Sequence, residues 1–260
     1  MQLPLFVISI LEGITEFLPI SSTGHLIIAS KLMSINLEDP YIKFYLLFIQ
    51  LGALIAGILL FSKRIITSKK LLGNLIVSFI PTAVIGFLLY KSFKHLLEGN
   101  MILLAMMLFS GGIIFIYLEW MMKKKILPEQ EEFGRKEMTY LDALIIGCAQ
   151  AVAIVPGVSR SGATIVAGIL RGIKKSVIVE YTFLLALPTL GAAVVYDFYK
   201  SKEVFATVNS YQELLFGFLI AFFVGYVTLY FLRKYLPRIS LHVFGWYRIA
   251  LAVFVVYLFI

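Results

Sequence analysis

Polar residues are confined to short intervals along an otherwise apolar chain, and the lengths of the apolar stretches set the architecture. Six continuous apolar runs lie near 44–61, 74–90, 101–122, 178–196, 213–232 and 243–260, each close to the ~20 residues a helix needs to cross a bilayer. Two further regions, 3–33 and 141–170, follow another pattern: an apolar half, a Pro/Gly/Ser-rich break and a second apolar half. Neither half is long enough to span alone. Unwound backbone at membrane depth survives only where protein or a water-filled cavity surrounds it, so both regions are predicted to be re-entrant hairpins of two half-helices. The fold class is therefore an all-α polytopic membrane protein.

The order of elements is hairpin, three spans, charged connector, hairpin, three spans. This gives a first repeat over 1–122, a connector over 123–139 and a second repeat over 140–260 within one membrane domain. An odd number of spans per repeat predicts that the second repeat has inverted topology relative to the first.

Composition agrees: the chain is 60% hydrophobic and 15% charged, with a mean hydropathy of +0.94, outside the range of soluble domains. Met1–Leu11 has no basic residue, and Glu12 and Glu16 interrupt the apolar run, so a cleavable signal is not expected. The single cysteine, Cys148, excludes an internal disulfide and a cysteine-based metal site. The net charge of +8 lacks the basic amphipathic or aromatic-interleaved segments of a nucleic-acid binder and reads instead as topology. Fifteen basic residues fall on one side, in the groups around Lys63–Lys70, Lys123–Lys136, Arg171–Lys175 and Arg233–Arg238. Six fall on the other: Lys31, Lys43, Lys91, Lys94, Lys200 and Lys202. By the positive-inside rule the richer side is cytoplasmic, which places both termini outside and sends the two hairpins in from opposite faces toward the midplane.

The two breaks answer each other. Pro19-Ile-Ser21-Ser22-Thr23-Gly24 lies over Gly157-Val-Ser159-Arg160-Ser161-Gly162, 138 residues later. Ionisable groups inside a membrane segment mark a site by default. Glu12 and Glu16, four apart, share one face of the incoming half-helix; in a low-dielectric setting either one carries a proton, or a cation or Arg160 compensates the pair. A purely structural pair bonded to the hairpin's own backbone is the competing reading, weakened by the neighbouring Ser-Ser-Thr-Gly-His25. Ser21–Gly24 and Ser159–Gly162 are predicted to open the second half-helices, aiming two sets of free N–H groups at one point, an anion site. Turn and cap residues alone would account for the serines and glycines but not for Arg160, whose planar fork at depth needs an anion and suits phosphate oxygens. His25 follows Ser22 by three residues and can exchange a proton near neutrality. Arg248, in the last span, is structural in this reading, paired to a carbonyl or to Asp197. A hydroxyl or an activated water, an acid/base set, an arginine clamp and amide dipoles together fit phosphoryl transfer.

Glu12-x-x-x-Glu16, Ser-Ser-Thr-Gly-His25 and Pro156-Gly157-x-Ser159-Arg160-Ser161-x-x-Thr164 resemble the two signature motifs of the undecaprenyl-diphosphate phosphatase family, the bacitracin-resistance type, and the resemblance covers nearly the whole chain. It implies hydrolysis of the C55 polyprenyl diphosphate to undecaprenyl phosphate and inorganic phosphate, recycling the lipid carrier of cell-wall polymer synthesis. It further implies a multi-pass enzyme of the bacterial plasma membrane that depends on a divalent cation (Mg2+ or Ca2+), works among membrane lipids, and leaves a homodimer open. By the same resemblance Glu16 is a catalytic carboxylate with Glu12 as partner, both candidate metal ligands. Ser22 is a candidate nucleophile, and His25 an acid/base group or alternative nucleophile. Arg160 acts on the diphosphate, which Ser159, Ser161 and Thr164 bind; Ser21, Thr23, Gly24 and Gly157 complete the binding set at the helix ends. Gln150 and Ile154 stand where the first repeat has Glu12 and Glu16, so carboxylate chemistry comes from one half and the arginine from the other. The phosphatidic-acid-phosphatase-related lipid phosphatases require a histidine where this chain has Val166. A polyprenyl-phosphate transporter or flippase using the same midplane site is the alternative of another class.

Overall fold

The computed structural model describes residues 2–97, 100–124, 134–200 and 211–260, with the side chains of 65, 66 and 89–97 left out. Among the described residues there are ten α-helices: α1 Leu3–Thr15, α2 Ser22–Leu32, α3 Pro40–Thr67, α4 Lys69–Leu97, α5 Met101–Lys123, α6 Tyr140–Ala151, α7 Arg160–Leu170, α8 Lys175–Lys200, α9 Tyr211–Tyr235 and α10 Leu241–Phe259. Six of them (α3, α4, α5, α8, α9 and α10) are long and apolar enough to cross a membrane. The chain is a multi-pass membrane protein. The expected spans are shorter than the helices, by about ten residues at α3 and α4 and by about one at α5 and α10, because apolar patterning fades toward the caps. Asp39 before Pro40 starts α3 ahead of the expected start, whereas Asn100, accepting from the Leu103 N–H at 2.9 Å, starts α5 where the pattern placed it.

The remaining four helices are the half-helices of the two hairpins. At 13 and 11 residues in the first and 12 and 11 in the second, none can span, and each pair is joined by a short irregular break. The hairpins are laid against spans of the other half of the chain. α1 packs on α9 where Gly13 faces Val224, and a Cβ at Gly13 would fall 2.8 Å from the Val224 Cβ. α6 packs on α4 where Gly147 faces the Ser78 carbonyl, which a Cβ would approach to 2.2 Å. Helices in lipid gain little from burying apolar surface against each other, so contact of this closeness, made by small residues, supplies the packing. Hydroxyls add to it. Ser78 Oγ donates to the Ala143 carbonyl at 2.6 Å, and Ser9 Oγ pairs with Tyr45 Oη at 2.7 Å.

The loops named as basic gather at one end. Arg64 pairs with Glu180 at 2.9 Å, Lys70 with Glu137 at 2.7 Å, and Lys175 Nζ donates to the Ile239 carbonyl at 2.6 Å. There Asp142, in the capping box of α6 with Thr139, accepts from both Arg135 and Arg171, at 3.1 and 2.9 Å. Burial alone would raise the Asp142 carboxyl; hydrogen bonds from Arg135, Thr139 and Arg171 outweigh it and hold the group below the ordinary carboxylate range. Gln2 and Phe259 lie at the opposite end. The Gln2 N–H donates to Glu213 at the start of α9, and Lys31, at the end of α2, lies 5.2 Å from the ring of Phe259. α1 therefore descends from one end and α6 from the other. Of the charges in the sequence reading, Lys125 and Lys202 lie outside the described residues, as do the side chains of Lys91 and Lys94.

Candidate active site

The two breaks meet inside the bundle. In each, the residue that opens the second half-helix is a serine in a backbone region L residues rarely adopt: Ser21 at φ 72° and Ser159 at φ 74°. Each caps its helix, Ser21 Oγ accepting from the Gly24 N–H at 3.3 Å and Ser159 Oγ from the Gly162 N–H at 3.2 Å. Such a backbone costs on the order of 1–3 kcal/mol per residue and persists where surrounding contacts over-determine it. The cap serves one donor of each helix. Helix geometry leaves the N–H groups of Ser22 and Thr23 in α2, and of Arg160 and Ser161 in α7, without an intrahelical acceptor.

Between the two helix starts lies a cavity of about 180 Å³ lined by Glu16, Ser21, Ser22, Thr23, Gly157, Ser159, Arg160 and Ser161, with Gln50 from α3 and apolar residues including Leu18, Ile154, Val155 and Leu190. Glu16, 6% exposed, divides its two oxygens between the halves of the chain. Oε2 accepts from Ser22 Oγ at 2.5 Å, and Oε1 accepts from Arg160 Nη2 at 3.2 Å. The other terminal nitrogen of Arg160, Nη1, is buried with no hydrogen-bond partner among the described residues. Ser161 Oγ spends its proton on the Leu18 carbonyl at 2.8 Å, stitching the second break to the first. Glu12 sits one turn behind Glu16, 1% exposed, and its Oε1 also lacks a partner among the described residues.

Not every residue named from the sequence faces the cavity. His25 is turned away: Nδ1 bonds the Ser21 carbonyl at 2.7 Å and Nε2 the Tyr247 hydroxyl at 2.6 Å, so neither ring nitrogen meets Ser22 or Glu16. Thr164 Oγ1 bonds the Arg160 and Ser161 carbonyls and Thr182 Oγ1, a helix-packing arrangement on the side of α8. Gly24 contributes the N–H that Ser21 caps rather than a cavity wall. Gly157 does line the cavity, and only glycine fits there. Its φ is +95°, and a Cβ would lie 2.8 Å from the Met107 Cβ. Gln150, the counterpart of Glu12, donates to Thr82 Oγ1 at 2.7 Å and stays out of the site. Arg248 takes the carbonyl alternative, bonding Gly157 at 2.7 Å and Val158 at 3.1 Å among others. Gln50 was missed, since one amide within a span carries no motif.

Six spans and two broken hairpins whose tips converge on a buried carboxylate–serine–arginine cluster define the class: a polytopic membrane protein with a polar cavity enclosed between its two hairpins. Comparison with known proteins narrows it. The family model described as bacitracin resistance protein BacA matches residues 5–254. The undecaprenyl-diphosphatase of Campylobacter hominis is 41% identical over 247 residues, covering 95% of this chain and 94% of that protein. Those of Wolinella succinogenes and Aquifex aeolicus are 41% and 40% identical, covering 95% and 94% of this chain and 94% and 93% of their own. The chain belongs to the BacA bacitracin-resistance family.

Proposed function

We propose that this protein is a membrane phosphatase that cleaves undecaprenyl diphosphate to undecaprenyl phosphate and inorganic phosphate, returning the carrier to cell-wall polymer synthesis and thereby conferring bacitracin resistance. The observation that carries the reading is Glu16 held between Ser22 Oγ and Arg160, one oxygen to each, at 2.5 and 3.2 Å. A hydroxyl hydrogen-bonded to a buried carboxylate is a nucleophile with its base in place. Ser22 Oγ attacks the terminal phosphorus as its proton passes to Glu16. The bond from that phosphorus to the bridging oxygen breaks, and undecaprenyl phosphate departs. Water then attacks the phosphoserine, the bond from phosphorus to Ser22 Oγ breaks, the proton held by Glu16 returns to Oγ, and the water's oxygen and both its hydrogens leave in inorganic phosphate. Arg160 Nη1 and the free N–H groups of both helix starts receive the charge on the phosphoryl oxygens.

Glu12 and Glu16 are the carboxylates that would hold a divalent cation jointly with the diphosphate; Oε1 of Glu12, without a partner among the described residues, fits that role, as does the habit of Mg2+ of binding through one or two carboxylates plus substrate phosphates. Such an ion supplies charge neutralisation on the diphosphate. The basic end of the bundle is cytoplasmic by the positive-inside rule, so both termini face outward across the plasma membrane. The contacts support reading the chain as two inverted repeats, since α1 on α9 is matched by α6 on α4, and α9 on α3 by α4 on α8.

A transporter binding the same headgroup has no use for a serine held against a carboxylate, which favours hydrolysis over carriage. The purified protein in detergent with Mg2+ is expected to release inorganic phosphate and undecaprenyl monophosphate in equal amounts from the diphosphate. Removing the cation by chelation should abolish release, and adding it back should restore it. Lipid movement across vesicles with no phosphate released would instead establish the transporter.

A further inference from the structure

We infer that Arg248, together with its neighbour Tyr247 on α10, is a positioning residue that holds the two breaks in register for reaction. The inference rests on the phosphatase reading of the site between them. Arg248 is 1% exposed and makes no ion pair among the described residues. A guanidinium has five N–H groups in a rigid planar fork, and here all five find carbonyls. Nη1 donates to Pro19 at 3.4 Å and Val158 at 3.1 Å, Nη2 to Gly157 at 2.7 Å and Met107 at 3.0 Å, and Nε to Leu108 at 3.4 Å. Three of these acceptors are in the two breaks and two are on α5; none lies in the regular part of a hairpin helix. Pro19 stands two residues before the strained cap Ser21, and Val158 one before its counterpart Ser159. One cation therefore fixes the carbonyls leading into both strained helix starts. Arg160, by contrast, keeps Nη1 without a partner among the described residues. The two buried arginines divide the work, one directed to ligand and the other saturated by backbone.

Tyr247 reaches the same region by a second route. The Ser21 carbonyl can only accept, so the proton of His25 is on Nδ1, at 2.7 Å, and Nε2 accepts from the Tyr247 hydroxyl at 2.6 Å. This chain ends on the carbonyl of the residue next to Ser22. The place for the fork is kept open by α5. A Cβ at Gly111 would fall 2.1 Å from Arg248 Nη2 and 2.6 Å from its Cζ, so any side chain there would displace the guanidinium. The ring of Phe115 lies 5.6 Å from the same Cζ.

The variants that test this are Arg248→Lys, which keeps the charge and loses the fork; Gly111→Ala, which keeps the arginine and moves it; and Tyr247→Phe. Each is purified in detergent and assayed for kcat and KM on polyprenyl diphosphate per monodisperse protein, with hydrogen exchange read by segment. Displacement of reacting groups by about 1 Å costs roughly 10²-fold in rate. Arg248→Lys and Gly111→Ala are therefore expected to lose at least about 10-fold in kcat with KM within about threefold. Exchange should rise in the breaks and not in the spans. Tyr247→Phe should show the same pattern, smaller and confined to the first break. Wild-type kcat in the folded variants, unaltered exchange in the breaks, or losses matched by exchange throughout the spans would each overturn the inference. A wild type that releases no phosphate would sink the phosphatase reading instead, and the exchange pattern would still decide whether the fork holds the breaks.

Discussion

Glu16→Gln should lower kcat by roughly 10²-fold or more, the usual scale for a positioned general base, while leaving the protein folded and binding of a non-hydrolysable polyprenyl diphosphate analogue little changed. The amide has the shape of the carboxylate, and its oxygen can still accept from Arg160 Nη2, now 3.2 Å from Oε1. What it lacks is a second acceptor able to take the proton of Ser22, whose Oγ lies 2.5 Å from Oε2. The loss therefore falls on turnover. Normal hydrolysis by Glu16→Gln, measured as inorganic phosphate released per folded protein, would reduce the carboxylate to a structural partner of Arg160.

Arg160→Lys should lose on the order of 10²-fold or more in kcat/KM, the scale of removing one preorganised donor from a developing oxyanion, and it should also weaken the analogue. An ammonium cannot hold Glu16 with one arm while offering a second, coplanar N–H to a phosphate oxygen. In this structure Nη2 is committed to Glu16, and Nη1 has no hydrogen-bond partner among the described residues. The fold should survive, because the breaks remain joined through Ser161 to the Leu18 carbonyl and through Arg248 to Pro19 and Val158. Near-normal kcat/KM with lysine would leave Arg160 as a generic positive charge.

The hairpins were legible because length decides them: halves of 11 to 13 residues cannot cross a bilayer. The meeting of Glu16, Ser22 and Arg160 was legible because polar groups at membrane depth are costly and were found in two matched runs. Helical spacing misled for His25. Counting three residues from Ser22 puts both on one face, yet Ser22 is the first residue of α2, where its side chain turns back along the break to Glu16, while the His25 ring turns to the Ser21 carbonyl and Tyr247. Thr164 is a similar case: its spacing fits the motif, but its hydroxyl satisfies its own helix and Thr182. The partners of Arg248 were beyond sequence reasoning, since backbone carbonyls carry no sequence signal. The Gly111-Gly112 pair opposite Arg248 became meaningful only once α5 and α10 were seen packed together.

That Ser22, Glu16 and Arg160 form one reaction centre across the two breaks is tested most directly by kcat for Ser22→Ala, Glu16→Gln and the double variant. Groups acting as a unit are strongly non-additive. Each single variant should lose about 10²-fold or more, and the double should lose little beyond the worse single. A double variant whose loss is the product of the two single losses, roughly 10⁴-fold on the same scale, would mean that Ser22 and Glu16 act independently, and the coupled nucleophile and base placed here would be wrong.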